Sequence, residues 1–459
     1  APMRKIRVRS NFVPGLSEAT KNLMKERDKA KQNIRHLSGE EKKVQHEVFK
    51  RLRNRVKSEL RKDRKQAATQ RLNAGENPWQ VVKNLTGKEN KKTLPLIKDG
   101  KEIIHDKDKV ELMNTFFIEK VVNLKKNIDC SYKEDPMSKM KNHKYRQNQK
   151  FSFQTVGVRN VIKMIKKMKK SRACGVDEIS SELMKPVGEI IAPLITSLIN
   201  SSFTEGVFPD VFKIAKVVCI HKGKGSPRDK SSYRPVSNLA FFGKCIEITA
   251  DVQLRKFCEE RNLFGSHQHG FRRSRSTSTA LQSALTRWRS TKRKGLFQGI
   301  LLMDLSAAYD VLPPDIFLEK ARLIGVRGTS LAWLTSYLHD RKQVVQVNEA
   351  VSRPLTLSTG TPQGSSCSCL IFALFVGDIQ LWVHEGFVTA YADDTMVIVE
   401  AQTLEELREK LKMEGEKILR FFASNRLVAN PLKTGLLVFR PKKSEESNTN
   451  ITIELGGET

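Results

Sequence analysis

Three carboxylates in this sequence stand where they could hold metal ions. Two are adjacent, in Tyr391-Ala392-Asp393-Asp394, with apolar runs over 386–390 and 395–399 on either side. That pattern predicts strand, tight turn, strand, with both acids lifted to the turn where hard oxygen ligands can meet Mg²⁺. The third, Asp304, ends the apolar run Ile300-Leu301-Leu302-Met303, after which the chain leaves the strand at once. Phosphoryl transfer from a nucleoside triphosphate needs carboxylates from separate strands, bridging two ions roughly 3.5–4 Å apart. One ion would activate a 3′-hydroxyl, and the other would hold the triphosphate and neutralise the leaving group. The plainer alternatives are a solvated Asp-Asp turn and an Asp304 that caps the following helix.

The elements that would position these acids are legible as periodicity. Strands are expected over 299–304 and in the Asp393 hairpin, and helices over 314–323, 330–340, 366–382 and 404–425. Upstream, 158–169 and 189–203 have helical spacing, 171–177 is a loop with Gly175, and a strand over 213–222 ends in a basic turn. A helix over 280–288 would be capped by Ser276 or Thr277. Before these lie a small hairpin over 93–104 around Asp99-Gly100, a helix over 106–122 carrying Phe116-Phe117, and a polar linker over 123–150. The mixture predicts an α+β domain with a small antiparallel sheet.

Charge points to a polyanionic partner. The 459 residues include 82 Lys and Arg against 50 Asp and Glu, a formal +32, while a 39% apolar share supports real cores. Residues 1–71 hold 22 of the basic residues and only 8 acids. There Val44, Val48, Leu52, Val56 and Leu60 recur every four residues on one long helix, and the other faces carry Arg51, Arg53, Arg55 and Arg61. Either this helix is a solvated face packed on a neighbour, or it lies along a phosphate backbone. Asn77-Pro78-Trp79 breaks it, and a short helix is expected over 80–85. The seven cysteines lack zinc-module spacing and read as reduced thiols. Neither a membrane-length apolar run nor a signal-peptide pattern occurs, which leads us to expect a soluble, intracellular protein. With no initiator Met, and with strand-like residues up to Thr459, both ends read as cut from a longer polypeptide.

Met303-Asp304-Leu305-Ser306-Ala307-Ala308-Tyr309-Asp310, Gly360-Thr361-Pro362-Gln363-Gly364-Ser365 and Tyr391-Ala392-Asp393-Asp394 occur in that order. They resemble motifs A, B and C of reverse transcriptases. Tyr233-Arg234-Pro235-Val236-Ser237 resembles a fingers motif, and 427–434 resembles motif D. The basic N-terminal run, Phe151-Ser152-Phe153 and Gln268-His269-Gly270-Phe271-Arg272 extend the resemblance to the reverse transcriptases of non-LTR (LINE-like) retrotransposons over nearly the whole chain.

The resemblance implies a right-hand polymerase fold. Residues 1–92 would be a basic helical extension, 93–150 a connector, 151–298 fingers and 299–459 palm, with motif E and the thumb missing. It implies an RNA-directed DNA polymerase that uses two Mg²⁺ ions, with Mn²⁺ as a substitute, and dNTPs, template RNA and a DNA primer. An endonuclease is expected upstream in the polyprotein, and the nucleus is the expected place of work. Carried over by position, Asp304, Asp393 and Asp394 are catalytic carboxylates, and the Leu305 carbonyl is a further metal ligand. Tyr309 would stack under the sugar and exclude a 2′-hydroxyl, although it could equally be a core aromatic. Lys222 and Arg234 would grip the triphosphate. Gln363 and Gly364, at a helix start with free N–H groups, would meet nucleotide and template, and Lys433 would protonate pyrophosphate. Arg272, Arg273 and Arg275 suit template phosphates, or are plain surface charges.

Two departures qualify the match. Ser368-Cys369 stands where the family shows Gly-Pro, and 451–457 resembles the hairpin before motif E. Two rivals remain: a group II intron-like reverse transcriptase, and an inactive nucleic-acid-binding fragment of a decayed or truncated element.

Overall fold

The computed structural model describes residues 16–34, 37–75, 94–126, 128, 134–143, 150–441 and 451–456. The chain divides into two units, Ala1–Thr93 and Leu94–Thr459.

In the first unit, α1 (Glu18–Asn33) and α2 (Gly39–Asn73) pack on each other. Ser17 caps α1 by accepting the Thr20 N–H, and its own N–H and hydroxyl donate to Asp63 of α2 at 2.9 and 3.0 Å. Val56 is buried and Leu52 and Leu60 half-buried, whereas Val44 and Val48 are exposed. A repeat of four on a helix of 3.6 residues per turn drifts round the axis, so only its later part faces α1. Arg51, Arg53, Arg55 and Arg61 are all exposed. Trp79, the helix expected over 80–85 and Cys130 lie outside the described residues.

The second unit opens with the hairpin β1 (Leu96–Lys98) and β2 (Lys101–Ile103). Asp99 and Gly100 are both left-handed there, as a tight two-residue turn requires. Helix α3 (Asp106–Lys126) runs on into the stretch expected to be linker, and the short α4 (Ser138–Asn142) also falls in it. Then come α5 (Val158–Lys167), α6 (Ser181–Met184), α7 (Gly188–Glu205), β3 (Ile214–His221) and β4 (Tyr233–Asn238). Helices α8 (Phe241–Glu260) and α9 (Thr277–Lys294) lead to β5 (Phe297–Met303), and a Ser276–Thr279 capping box starts α9. The chain continues through α10 (Ala308–Val311), α11 (Pro314–Leu323), α12 (Gly328–Leu338), β6 (Lys342–Val347), β7 (Ala350–Val351) and β8 (Leu355–Thr356). It ends with α13 (Ser366–Phe375), β9 (Phe387–Tyr391), β10 (Asp394–Ala401), α14 (Leu404–Ser424) and β11 (Gly435–Phe439).

An antiparallel sheet of order β11-β5-β10-β9 carries the acids. Its strands alternate as the sequence does. Leu301, Val397 and Val399 face α14, while Ile300 and Ile398 pack with Ala284 of α9 on the other side. Gly299 leaves no room for a Cβ beneath Leu411, which lets α14 lie close on the sheet. A second sheet of order β4-β3-β6-β7, with β8 also on β6, includes the parallel pair β3/β6. This mixed sheet and the 20-residue α8 were not anticipated. The pairing of β3 with β6 joins residues more than a hundred apart, which local periodicity cannot register.

Two expected elements are shorter than the sequence suggested. Helix α13 stops at Phe375 rather than 382, where Gly377 packs against the Leu263 carbonyl so closely that a Cβ would come within 2.9 Å. The residues described over 451–456 form no strand; instead Ile451, Ile453 and Leu455 pack on the core, with Leu455 against Gly415 of α14. No helix among the described residues is long and apolar enough to cross a membrane.

Candidate active site

Asp393 and Asp394 stand where the hairpin was expected. Tyr391 pairs with Asp394 across the turn, and Ala392 takes the left-handed conformation (φ 60°) that a two-residue connection demands. Strand β10 pairs with β5 in a register that sets Thr395 opposite Met303. The pairing stops there, one residue short of Asp304 and Asp394, so both acids lie at this end of the sheet, and the charges of both act on Asp393. Asp304 does not cap α10, whose first residue follows Ala307. Its carbonyl accepts the Asn430 N–H, and Ser306 N–H donates to the Val428 carbonyl, closing a bridge between Leu305 and Ala429. The Leu305 carbonyl takes no part in that pair of bonds.

One oxygen of Asp304, Oδ2, receives both the Lys433 ammonium at 2.6 Å and the Asn430 amide at 3.2 Å. Lys433 thus pairs with Asp304. Burial raises the Asp393 pKa, and the neighbouring charges of Asp394 and Asp304 raise it further, partly opposed by Lys433. A cation at this point would relieve that repulsion, and the donors are hard oxygens of the kind Mg²⁺ takes. The donor chemistry therefore fits divalent ions. The carboxylates are not drawn into a cage, for among the described residues no three acidic, His or Cys side chains converge on one point.

The loop over 360–365 is laced to the α10 segment on one side and to β4 on the other. Gly360 N–H donates to Leu312 O and Thr361 N–H to Tyr309 O, while Ser237 N–H of β4 donates to Gln363 O at 2.7 Å. Gly364 (φ 124°) passes the Ser237 carbonyl so tightly that a Cβ would come within 2.6 Å. Its glycine is required by this packing. The Gln363 side-chain amide donates to both oxygens of Asp310, at 2.8 and 2.9 Å. The first N–H groups of α13 are also taken, because Ser365 caps them through Cys367 and Ser368. Ser368 fits inside that first turn and donates to the Pro362 carbonyl, so the Ser-Cys departure leaves the helix start intact. The Tyr309 ring lies 4.8 Å from that of Phe372 and meets Phe271 edge-on.

Cations gather at the β3–β4 end. Strand register sets Ile220 opposite Arg234, which is exposed, and Lys222 is two residues on. The Lys222 ammonium donates to Ser231 O at 2.7 Å, and its pKa is lowered by burial and then by the charges of Lys120, Arg234 and Lys224. Mutual repulsion of this kind suits a polyphosphate partner. Lys120, on α3, was missed because nothing in its local sequence marks it; its charge also acts on Asp310.

Residues 220–451 match the family described as reverse transcriptase (RNA-dependent DNA polymerase), half of the chain. The chain belongs to the reverse transcriptase family. Among curated relatives, it is 24% identical over 288 residues to the "Probable RNA-directed DNA polymerase from transposon BS" of Drosophila melanogaster, covering 61% of this chain and 32% of that protein. It is 24% identical to the RNA-directed DNA polymerase from mobile element jockey of the same species (54% and 28% covered). To the "Probable RNA-directed DNA polymerase from transposon X-element" it is 25% identical (52% and 26% covered). The resemblance to LINE-like reverse transcriptases is borne out. The chain spans about a third or less of the length of these relatives. Its likeness to apo telomerase from Candida tropicalis, truncated from the C-terminal domain, is slight and carries no argument: a TM-score of 0.37 at 13% identity over 56% of each chain.

In this reverse transcriptase the basic loop before α9 is only partly free for nucleic acid. Arg272 is a structural residue, which corrects its expected role. Its side chain is 5% exposed, pairs with Glu259 at 2.6 Å and donates to the carbonyls of Gly265 and Gln268. Arg275 donates to the Ser266 carbonyl and is half-buried, and Arg273 is exposed.

Asp310, the partner of Gln363, gives a pH test. Burial raises its pKa above the usual carboxylate value, outweighing the Gln363 bonds that lower it. The protonated form is thus favoured by folding, and this contribution is complete below the unfolded pKa and lost as pH rises through the folded one. Asp310→Asn should therefore gain on the wild type in melting temperature as pH rises from 4 to 7. Equal melting differences at both pH values would refute this account of Asp310.

Proposed function

We propose that this chain is an RNA-directed DNA polymerase that extends a DNA 3′ end by copying RNA. The observation that carries the reading is the meeting of Asp304, from β5, with Asp393 and Asp394, from the β9–β10 turn, inside the family-matched region. Residues 151–298 serve as fingers and 299–459 as palm. Lys222, Arg234 and Lys120 take the triphosphate, and Tyr309 lies under the sugar and selects dNTPs. Asp304, Asp393, Asp394 and the Leu305 carbonyl would hold two Mg²⁺ ions, for which Mn²⁺ can substitute. When bound, these ions supply Lewis-acid activation of the 3′-hydroxyl and neutralisation of the leaving pyrophosphate. The exposed arginines of α2, together with Arg273 and Arg275, bind nucleic-acid backbone. In the element the primer is nicked chromosomal DNA, which sets the nucleus as the place of work and an endonuclease of the same polyprotein as the source of the nick.

The test is primer extension on an RNA template with Mg²⁺. Extension with dNTPs but not rNTPs is expected. Salt-sensitive RNA binding without extension would favour the reading as an inactive binding fragment.

Lys433 has two roles here that can be separated. It can donate a proton to pyrophosphate, and it competes with a cation for Asp304. Lys433→Met should lower kcat by about a hundredfold and at the same time lower the Mg²⁺ concentration giving half the maximal rate. A rise in that concentration would show that Lys433 helps the ion to bind.

A further inference from the structure

The turn that carries Asp393 and Asp394 has φ > 0 at Ala392, a residue with a side chain, and something must hold it there. The hydrogen bonds show what does. Gln268 is fully buried, and its side-chain amide faces the Ala392 peptide. Its Oε1 accepts the Ala392 N–H at 3.0 Å, and its Nε2 donates to the Ala392 carbonyl at 3.2 Å. The same Oε1 accepts the Gly270 N–H at 2.7 Å, which sets the orientation of the amide. The backbone repeats the arrangement: Ala390 N–H donates to His267 O and His269 N–H to Ala390 O, so 267–269 adds to β9 as a short parallel partner. Gly270 lies against the Ala392 nitrogen with no room for a Cβ.

We propose that Gln268, supported by Gly270, is a positioning residue for metal binding: its amide fixes the Tyr391–Asp394 turn so that Asp393 and Asp394 face Asp304. This rests on the polymerase reading above. Gln268 sits in a segment that sequence reasoning gave to the template; the structure gives it a different task. One planar amide satisfies both polar groups of the residue between two strands, in a site closed to water. Nothing on the turn itself does so. Residues that orient ligands in this way typically contribute about 10–100-fold to metal affinity or activity.

The experiment compares the wild type with Gln268→Met, which keeps the volume and removes all three bonds. Gly270→Ala presses on the same contact from the other side and serves if the first variant does not fold. Trp333→Phe, which breaks the Trp333–Ser202 bond deep in the core, controls for loss of stability alone. Three quantities are read: amide exchange of 391–394 in metal-free protein, Mn²⁺ affinity by electron paramagnetic resonance, and primer extension. Either site variant should speed exchange at Ala392, weaken Mn²⁺ binding about tenfold or more, and lower kcat with the KM for dNTP within about threefold. The Trp333 variant should change none of these. A folded Gln268→Met or Gly270→Ala protein with wild-type exchange and wild-type Mn²⁺ affinity would overturn the proposal. If the wild type extends no primer, the polymerase reading fails by itself, and the exchange and Mn²⁺ measurements still decide the role of Gln268.

Discussion

Asp393→Asn should reduce primer extension by about 10³-fold or more while making the metal-free protein slightly more stable. The loss follows from charge: an amide of the same shape cannot neutralise a divalent ion or bring two ions together, and transition-state stabilisation at such sites is electrostatic. The gain follows from the same charge in the folded protein. Burial and the nearby Asp394 and Asp304 hold the Asp393 pKa above its usual value, so its ionised form is disfavoured by folding at neutral pH. The penalty is absent well below the ordinary carboxylate pKa and grows as pH rises through the folded one. Melting curves should therefore place the variant further above the wild type at pH 7 than at pH 4. The turn itself is held through Ala392, so the substitution leaves its hydrogen bonds in place. An Asp393→Asn protein that extends primers at more than a few percent of the wild-type rate would remove Asp393 from the site.

A second large effect is expected far from the acids. Lys320 of α11 is fully buried; its ammonium bonds Asp378 at 2.6 Å and the Phe375 carbonyl at 2.8 Å, and it lies over the rings of Phe375 and Phe421. Burial pushes the Lys320 pKa down and the Asp378 pKa up, and their mutual attraction opposes both shifts. Lys320→Met would strand a buried carboxylate, at a cost of about 3–5 kcal/mol. The double variant Lys320→Met/Asp378→Leu should recover most of the loss, because a buried pair replaced by apolar groups is often close to neutral. Denaturation of the two single variants and the double variant forms the cycle that checks this. Double and single variants of equal stability would mean that the pair contributes nothing specific.

Much of the site could be read from order and type alone. The hairpin around Asp393, the strand ending at Asp304 and the helices over 314–323 and 404–424 follow from period-2 and period-3.6 patterns that each segment carries within itself. Which distant group a side chain meets lies beyond local reading. Arg272, expected to meet template phosphates or to be a plain surface charge, is spent on Glu259, and Gln363, expected to meet nucleotide and template, bonds Asp310. Lys120 and Asn430 went unremarked, since a single Lys or Asn has no local signature of a site.

The sequence by itself determined which residue types the chemistry has, in what order, and which short segments present them, because turn propensity and strand alternation are properties of neighbouring residues. The tertiary structure alone decided that Asp304 and Asp394 come to the same end of one sheet, that Lys433 bonds Asp304, and that Gln268 bonds the turn at Ala392. Those are pairings between residues tens to more than a hundred positions apart, set by strand register and close packing, and they exist only once the chain has closed on itself.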